Sequence, residues 1–129
     1  MVVDSSAILA IVFNEPDHFL YFESLAAAQT LAMSAATLFE CRLVALRKGG
    51  EAQESELLDF LARLKIDIAH FDEAQVDVAA EAFRRYGKGR DRAALNFGDC
   101  FSYALAKSRG EPLLYKGGDF ARTDVAAAV

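Results

Sequence analysis

The sequence contains no tryptophan, only two cysteines, only two prolines and no long apolar run. Cys41 and Cys100 are too few for a disulfide framework or a zinc site, so a reduced, cytoplasmic protein is expected. No stretch approaches the roughly 18 apolar residues of a membrane span, and Asp4 interrupts the start, so neither a span nor a secretory signal is predicted. Hydrophobic residues make up 53% of the chain, which argues against a mainly disordered protein.

The chain has 129 residues and a net charge of −5, with 14 Lys and Arg against 19 Asp and Glu. A chain of this length predicts a single domain over residues 1–129. The excess of acid argues against a protein that coats nucleic acid nonspecifically. An enzyme that concentrates its acidic side chains in one site is still compatible with this charge.

Short apolar runs alternate with longer helical patterns along the chain. This alternation predicts an α/β fold with a mostly parallel sheet and helices on its faces. The predicted strands cover residues 1–3, 31–33, 66–70 and 113–115. The predicted helices cover about 7–13, capped by Ser5 or Ser6, then 35–48, 51–64, 72–86 and 97–108, with Gly49-Gly50 and Gly110 as breaks.

Four acidic residues fall at strand ends or helix starts in this scheme, namely Asp4, Glu40, Asp99 and Asp119. In an open parallel sheet those ends share one edge, where ligands bind, so we expect the four carboxylates in one cleft. Carboxylates placed together repel each other unless a cation lies between them. Sites built only of oxygen ligands favour Mg²⁺ or Mn²⁺, which suit hydrolysis of phosphodiester bonds by an activated water.

Each of these acids also has a purely structural interpretation. Thr37-x-x-Glu40 matches a helix capping box, Asp99 suits a helix N-terminus, and Asp119 suits a turn after two glycines. Asp4 is harder to explain in this way, because a charge against a buried strand is costly unless it is paired. The structural interpretations do not explain why all four acids fall at the same edge.

Several motifs resemble those of PIN-domain ribonucleases. The start of this chain, VVDSSAILA at residues 2–10, resembles the start of these proteins. Two further stretches resemble, more specifically, the VapC toxins of VapBC toxin–antitoxin pairs. They are ALNFGDCFSYALA at 94–106 and PLLYKGGDF at 112–120. The resemblance covers nearly the whole chain. It implies a three-layer α/β/α sandwich that binds Mg²⁺ or Mn²⁺ and hydrolyses RNA phosphodiester bonds, with a VapB-type antitoxin and a second copy in a homodimer as partners.

The same resemblance carries the family's catalytic and metal-binding acids onto Asp4, Glu40, Asp99 and Asp119. Relatives often have an Asn or an acid where this chain has Gly117, which makes Asp124 a reserve for the fourth acid. Ser6 is expected to donate to a carboxylate or a water beside the metal. The two apolar helices predicted over 35–64 are candidates for antitoxin and dimer contacts.

A basic segment at residues 84–92 holds five basic side chains within nine positions. Lys88, Arg90 and Arg92 are candidates to contact RNA phosphates, although a solvated helix end would have the same composition. Lys116 could contact phosphate or balance local acid. Asn96 could orient a ligand or cap the helix that follows it.

Two other functions compete with the nuclease. A phosphoacceptor receiver domain needs an acid pair at the first strand and an aspartate near the middle of the chain. This sequence offers only Asp4 at the first strand and Lys48-Gly49-Gly50 in the middle. A PIN-like module that binds RNA or protein without cutting stays open as the alternative, although all four acids are present.

Overall fold

The computed structural model describes residues 1–129 and contains five helices around four short strands. The elements in chain order are β1 (Val2–Val3), α1 (Ser5–Val12), α2 (His18–Ala27), β2 (Ala32–Ser34), α3 (Ala35–Leu64), β3 (Asp67–Ala69), α4 (Glu73–Tyr86), α5 (Phe97–Arg109) and β4 (Leu113–Leu114), followed by a 3₁₀ turn at Phe120–Arg122.

The four strands form one parallel sheet in the order β3-β2-β1-β4. Successive residues of β1 face opposite sides of this sheet, as the pleat of a strand requires. Val3 packs in the core with α1, α2 and α3, and Val2 packs in the core with α4 and α5. The predicted α/β/α sandwich with a parallel sheet is therefore confirmed.

Most predicted elements are present, although the helix starts differ in a way that matters for the site. The cap of α1 is Asp4, whose carboxylate accepts the Ser6 N–H, so the prediction of a Ser5 or Ser6 cap is wrong. The cap of α3 is Ser34, and Thr37 is fully buried inside the helix, so the Thr37–Glu40 capping box is also wrong. Both helices begin as soon as the preceding strand ends.

Glycine ends or breaks helices where the sequence predicts it. Gly50 has a φ of 67° and a ψ of −159° and divides α3 into two segments, which confirms the predicted break. Gly110 has a φ of 63° and ends α5 in the left-handed conformation that glycine adopts readily.

One helix, α2, has no counterpart among the predicted elements. Its sequence, HFLYFESLAA, buries Tyr21 and Leu25 but leaves Phe19, Leu20 and Phe22 exposed. Because apolar residues occur all around this helix, the sequence carries no clear helical period there. No helix of the structure is both long and apolar enough to cross a membrane.

Candidate active site

Asp4 lies at the carboxyl end of β1 and is almost completely buried, with 2% of its surface exposed. Its Oδ2 atom accepts hydrogen bonds from the Ser6 hydroxyl at 2.6 Å and the Ser6 N–H at 3.0 Å. Its Oδ1 atom accepts a hydrogen bond from the Ser102 hydroxyl at 2.6 Å. Three donors and no basic side chain therefore hold this buried carboxylate in one orientation.

Glu40 lies in the second turn of α3 and reaches the same edge of the sheet. Its Oε2 atom accepts a hydrogen bond from the Ser5 hydroxyl at 3.2 Å. Its carboxylate is packed so closely against Gly98 that a Cβ atom added there would lie 2.7 Å from both oxygens. Burial raises the pKa of Glu40, and the negative charge of Asp4 adds to this effect. The absence of a side chain at Gly98 thus makes room for Glu40 beside Asp99.

Asp99 lies in the first turn of α5 and forms a reciprocal capping box with Asn96. The Asp99 Oδ2 atom accepts the Asn96 N–H at 2.8 Å, and the Asn96 Oδ1 atom accepts the Asp99 N–H at 2.9 Å. The structure therefore shows Asn96 as a helix cap, and a further role for it toward a ligand stays a prediction. One oxygen of Asp99 has a structural partner.

The ionisation of Asp99 links the acidic residues to each other. Burial raises the pKa of Asp99 to about 7, and the charges of Asp4, Asp119 and Glu40 act in the same direction against the hydrogen bond from Asn96. None of these four carboxylates takes part in an ion pair with a basic side chain. The structure thus brings the four acids to one region and leaves their charge uncompensated.

The structure distinguishes Asp119 from its reserve, Asp124. Asp119 is exposed in the loop after β4 and caps nothing with its side chain. Asp124 accepts a 2.5 Å hydrogen bond from the Tyr103 hydroxyl and pairs with Lys107 and Arg85. Because those partners already occupy Asp124, Asp119 is the better candidate for the fourth acid.

The residue types of this region suit a divalent cation, but their present arrangement does not form a binding site for one. Four carboxylates, one of them buried and none of them in an ion pair, form the oxygen donor set that Mg²⁺ and Mn²⁺ prefer. However, no group of three or more His, Cys, Asp or Glu side chains is arranged so that it could hold a metal ion. Metal binding would require the carboxylates to move closer to each other.

Two buried hydroxyls, those of Ser102 and Thr37, support the site, and Ser102 was not singled out in the sequence. Ser102 donates to Asp4, and its oxygen lies 3.2 Å from the hydroxyl oxygen of Thr37. Both residues are at most 1% exposed. Ser102 lies three residues after Asp99, in a stretch from Cys100 to Ala106 whose other residues apart from Tyr103 are apolar, and this is the signal that could have identified it.

The predicted RNA-contacting residues fall into two groups. Lys88, Arg90 and Arg92 are exposed in the loop between α4 and α5 and have no acidic partner, so their contact with phosphate stays a prediction. Lys116 differs, because its ammonium contacts both Glu15 and Asp17. The structure thus pairs Lys116 with two distant acids and not with the neighbouring Asp119, and its contact with phosphate stays a prediction.

A large apolar face lies next to the acidic region, and the sequence did not predict it there. A hollow of about 720 Å³ is lined only by hydrophobic residues of α3, α4, α5 and the segment before α4. The residues that define this apolar face are Phe71, Val76, Phe83, Phe97 and Phe101, with Phe39 at a neighbouring hollow. Phe97 is 81% exposed, which is unusual for so large an apolar side chain.

Comparison with known protein families agrees with the fold described above. The family model described as the PIN domain matches residues 1–126 of this chain. A ribonuclease VapC of Mycolicibacterium smegmatis is 48% identical over 127 residues, which cover 98% of both chains. Ribonuclease VapC30 of Mycobacterium tuberculosis is 45% identical over 98% of this chain and 96% of its own length. The chain belongs to the PIN-domain family and, within it, to the group of VapC ribonucleases.

Solved structures agree with this fold. The crystal structure of VapC20 from Mycobacterium tuberculosis, a toxin that cleaves the sarcin–ricin loop, has a TM-score of 0.79 at 19% identity and covers 97% of this chain and 95% of its own. VapBC2 from Rickettsia felis, bound to a DNA fragment from its promoter, has a TM-score of 0.76 at 20% identity, with 98% and 94% covered. At these identities the comparison supports the three-layer fold alone.

Proposed function

We propose that this protein is a cytoplasmic endoribonuclease, the toxin of a toxin–antitoxin pair, and that it hydrolyses RNA phosphodiester bonds with Mg²⁺ or Mn²⁺ as cofactor. The observation that carries the proposal is the group of four carboxylates without a basic partner at one edge of the sheet. The chain that carries this edge is 48% identical to a ribonuclease VapC. A cation is the simplest way to balance this charge.

Each acidic residue has a distinct part in this proposal. Asp4 is the most rigid ligand, because Ser6 and Ser102 fix both of its oxygens. Glu40 and Asp99 would complete the site as carboxylate ligands from α3 and α5. Asp119, which is exposed, would close the site from the loop after β4. A Mg²⁺ or Mn²⁺ ion held there would lower the pKa of a water molecule and stabilise the leaving oxygen.

The test is cleavage of total RNA by the purified protein. We expect cleavage with Mg²⁺ or Mn²⁺, none with EDTA, and a loss of more than about 100-fold in the variants Asp4→Asn and Asp99→Asn. This loss would exceed the 10- to 100-fold effect typical of residues that only orient a ligand. Parent and variants that cut equally well would contradict the assignment of these residues.

A matched control is available on another helix. Asp72 caps α4 by accepting the N–H of Gln75 at 2.9 Å and is not one of the four acids. Asparagine is also a good helix cap, so Asp72→Asn makes the same chemical change at a carboxylate outside the proposed metal site. We expect this variant to cut RNA like the parent protein.

A VapB-type antitoxin and a second copy of this chain are proposed as the protein partners. A structure of a toxin–antitoxin complex from Klebsiella pneumoniae contains a chain of the same fold. The TM-score is 0.73 at 19% identity, and the comparison covers 99% of this chain and 97% of that one. Co-expression with a small upstream reading frame, if one is present beside the gene, would test the antitoxin. The mass of the purified protein in solution would test the homodimer.

The second candidate function is a PIN-like module that binds RNA or protein without cutting it. The specific observation in its favour is that no three acidic side chains are arranged to hold a metal ion. This function predicts RNA binding that EDTA does not change and no cleavage with either metal. The RNA experiment above therefore separates the two candidates.

A further inference from the structure

Lys116 connects two parts of the molecule that the sequence does not relate. It follows β4 by two residues and begins the loop that carries Asp119. Its ammonium contacts Glu15 and lies 2.5 Å from Oδ1 of Asp17, and both of these acids belong to the turn between α1 and α2. The lysine therefore fastens the loop after β4 to the α1–α2 turn.

The backbone of the same residue acts on Asp4. The Lys116 N–H donates a 2.9 Å hydrogen bond to the Ser6 hydroxyl oxygen. The Ser6 hydroxyl in turn donates to Oδ2 of Asp4 at 2.6 Å. Because a hydroxyl has a single proton, acceptance of the Lys116 N–H leaves that proton directed at Asp4.

The α1–α2 turn is a firm anchor for this lysine. The Glu15 N–H donates to the Ala10 carbonyl at 2.9 Å, and the Tyr21 hydroxyl, on a buried side chain of α2, donates to Asp17 at 3.3 Å. Hydrogen bonds to Asp17 and Glu15 also raise the pKa of the Lys116 ammonium, so it stays charged at neutral pH. Two glycines, Gly117 and Gly118, follow it, and Gly117 has a φ of 101°. The ion pairs of Lys116 therefore restrain this segment together with the hydrogen bond of its own N–H and the packing of Tyr115 against Phe120.

We propose that Lys116 is a positioning residue: its ion pairs with Glu15 and Asp17 hold the loop after β4 in place, so that its backbone N–H directs the Ser6 hydroxyl toward Asp4. This inference rests on the proposed metal-dependent nuclease, because Asp4 is the ligand being oriented. It differs from the expectation that the Lys116 side chain contacts RNA phosphate. The two roles make opposite predictions for Glu15 and Asp17.

The experiment compares Lys116→Met, Lys116→Arg and the double variant Glu15→Gln/Asp17→Asn. Mn²⁺ affinity is measured by calorimetry on the RNA-free protein, and kcat and KM are measured for RNA cleavage. We expect Lys116→Met and the double variant each to lower Mn²⁺ affinity and kcat by about 10-fold with KM unchanged, as is typical when a ligand loses its orienting partner. Lys116→Arg should recover most of both losses.

A contact with RNA phosphate would give a different pattern. Lys116→Met would then raise KM and weaken the salt dependence of RNA binding, with Mn²⁺ affinity unchanged. The double variant would bind RNA more tightly, because it removes two negative charges and frees the lysine. Either result would overturn the inference.

A matched control and a structural measurement complete the design. Lys107→Met also removes a lysine from an ion pair, in this case with Asp124 at 3.3 Å, and should leave Mn²⁺ affinity unchanged. Hydrogen exchange of the backbone N–H at position 116 should be faster in Lys116→Met and in the double variant than in the parent. Unchanged exchange would overturn the inference.

The failure of the inference and the failure of the proposed function are distinguishable. A parent protein that neither binds Mn²⁺ nor cuts RNA would overturn the proposed function and this inference with it. A parent that does both, with a Lys116→Met variant that matches it in Mn²⁺ affinity and kcat, would overturn the inference alone.

Discussion

The Ser102 hydroxyl of α5 donates a 2.6 Å hydrogen bond to Oδ1 of Asp4, which lies 98 positions earlier in the chain. This bond joins the helix that carries Asp99 to the strand end that carries Asp4. Because Ser102 is buried, water cannot replace its hydroxyl when it is removed. The bond therefore serves both the fold and the orientation of the candidate ligand.

Replacement of Ser102 by alanine should weaken both properties. We expect Ser102→Ala to lower the free energy of unfolding by about 1–2 kcal/mol, since it leaves the buried Thr37 hydroxyl and the Oδ1 atom of Asp4 each without a hydrogen-bond partner. We also expect about 10-fold weaker Mn²⁺ binding. Urea denaturation and calorimetry measure the two effects. Thr37→Val, which keeps the Ser102–Asp4 bond, should destabilise the protein but weaken Mn²⁺ binding less; equal effects of the two variants on Mn²⁺ binding would contradict this role.

Replacement of Gly98 by alanine should lower the RNA-cleaving activity and leave the stability of the protein nearly unchanged. The added Cβ would lie 2.7 Å from both carboxylate oxygens of Glu40, so Glu40 must move away from the site. Alanine also favours the helical conformation over glycine by up to about 1 kcal/mol, which offsets the crowding. We expect RNA cleavage to fall at least about 10-fold while the thermal midpoint changes little. Normal cleavage by Gly98→Ala would show that Glu40 is not needed where it lies.

The stability of the metal-free protein should depend on the ionisation of Asp99. Its pKa in the fold is about 7, against 3.8 as the ordinary value, so the native state holds a proton that the unfolded state releases. The free energy of unfolding should therefore fall as the pH rises from about 4 to about 7. Asp99→Asn removes this ionisation, so we expect it to be more stable than the parent in EDTA at pH 8, by about 1–3 kcal/mol after allowance for solvent screening.

The measurement is urea denaturation at pH 5 and pH 8 with EDTA. The advantage of Asp99→Asn should be small at pH 5 and larger at pH 8. Addition of Mn²⁺ at pH 8 should stabilise the parent and not the variant, because binding to the native state alone adds stability. An advantage that does not change with pH would mean that Asp99 is not the group responsible.

The sequence was sufficient to predict the sheet and the placement of the acids at one edge of it. Strand ends and helix starts follow from local hydrophobic pattern and from glycine, and Asp4 and Asp99 are defined by such positions. The partners of these acids were not predictable in the same way. The bonds from Ser102 and from the Lys116 N–H depend on how distant elements pack, and no local pattern encodes that. Lys116 illustrates this, because its two acidic partners lie about 100 positions away.

The choice between Asp119 and Asp124 can be tested with one pair of variants. Asp124 accepts the Tyr103 hydroxyl and pairs with Lys107, whereas Asp119 has no such partner. We therefore expect Asp119→Asn to reduce RNA cleavage with little change in stability. Asp124→Asn should instead lower the free energy of unfolding by about 1–2 kcal/mol and keep most of the activity. Activity assays and urea denaturation of both variants decide, and the reverse pattern would make Asp124 the fourth acid.

We expect the homodimer to form through the apolar face beside the acidic region, which lies mainly on α4 and α5 and not on the helices over 35–64 that the sequence favoured. Its hollow is lined by nine hydrophobic residues and no charged one, and a second copy presents the same uncharged surface in return. A glutamate there would be buried without a partner, so we expect Val76→Glu to weaken the dimer more than about 10-fold in analytical ultracentrifugation. Leu20→Glu is a matched control, since Leu20 on α2 is 46% exposed and Val76 is 47% exposed. A dimer disrupted by Leu20→Glu and not by Val76→Glu would place the contact on α2, and a parent protein that is monomeric at all concentrations would leave the apolar face for the antitoxin.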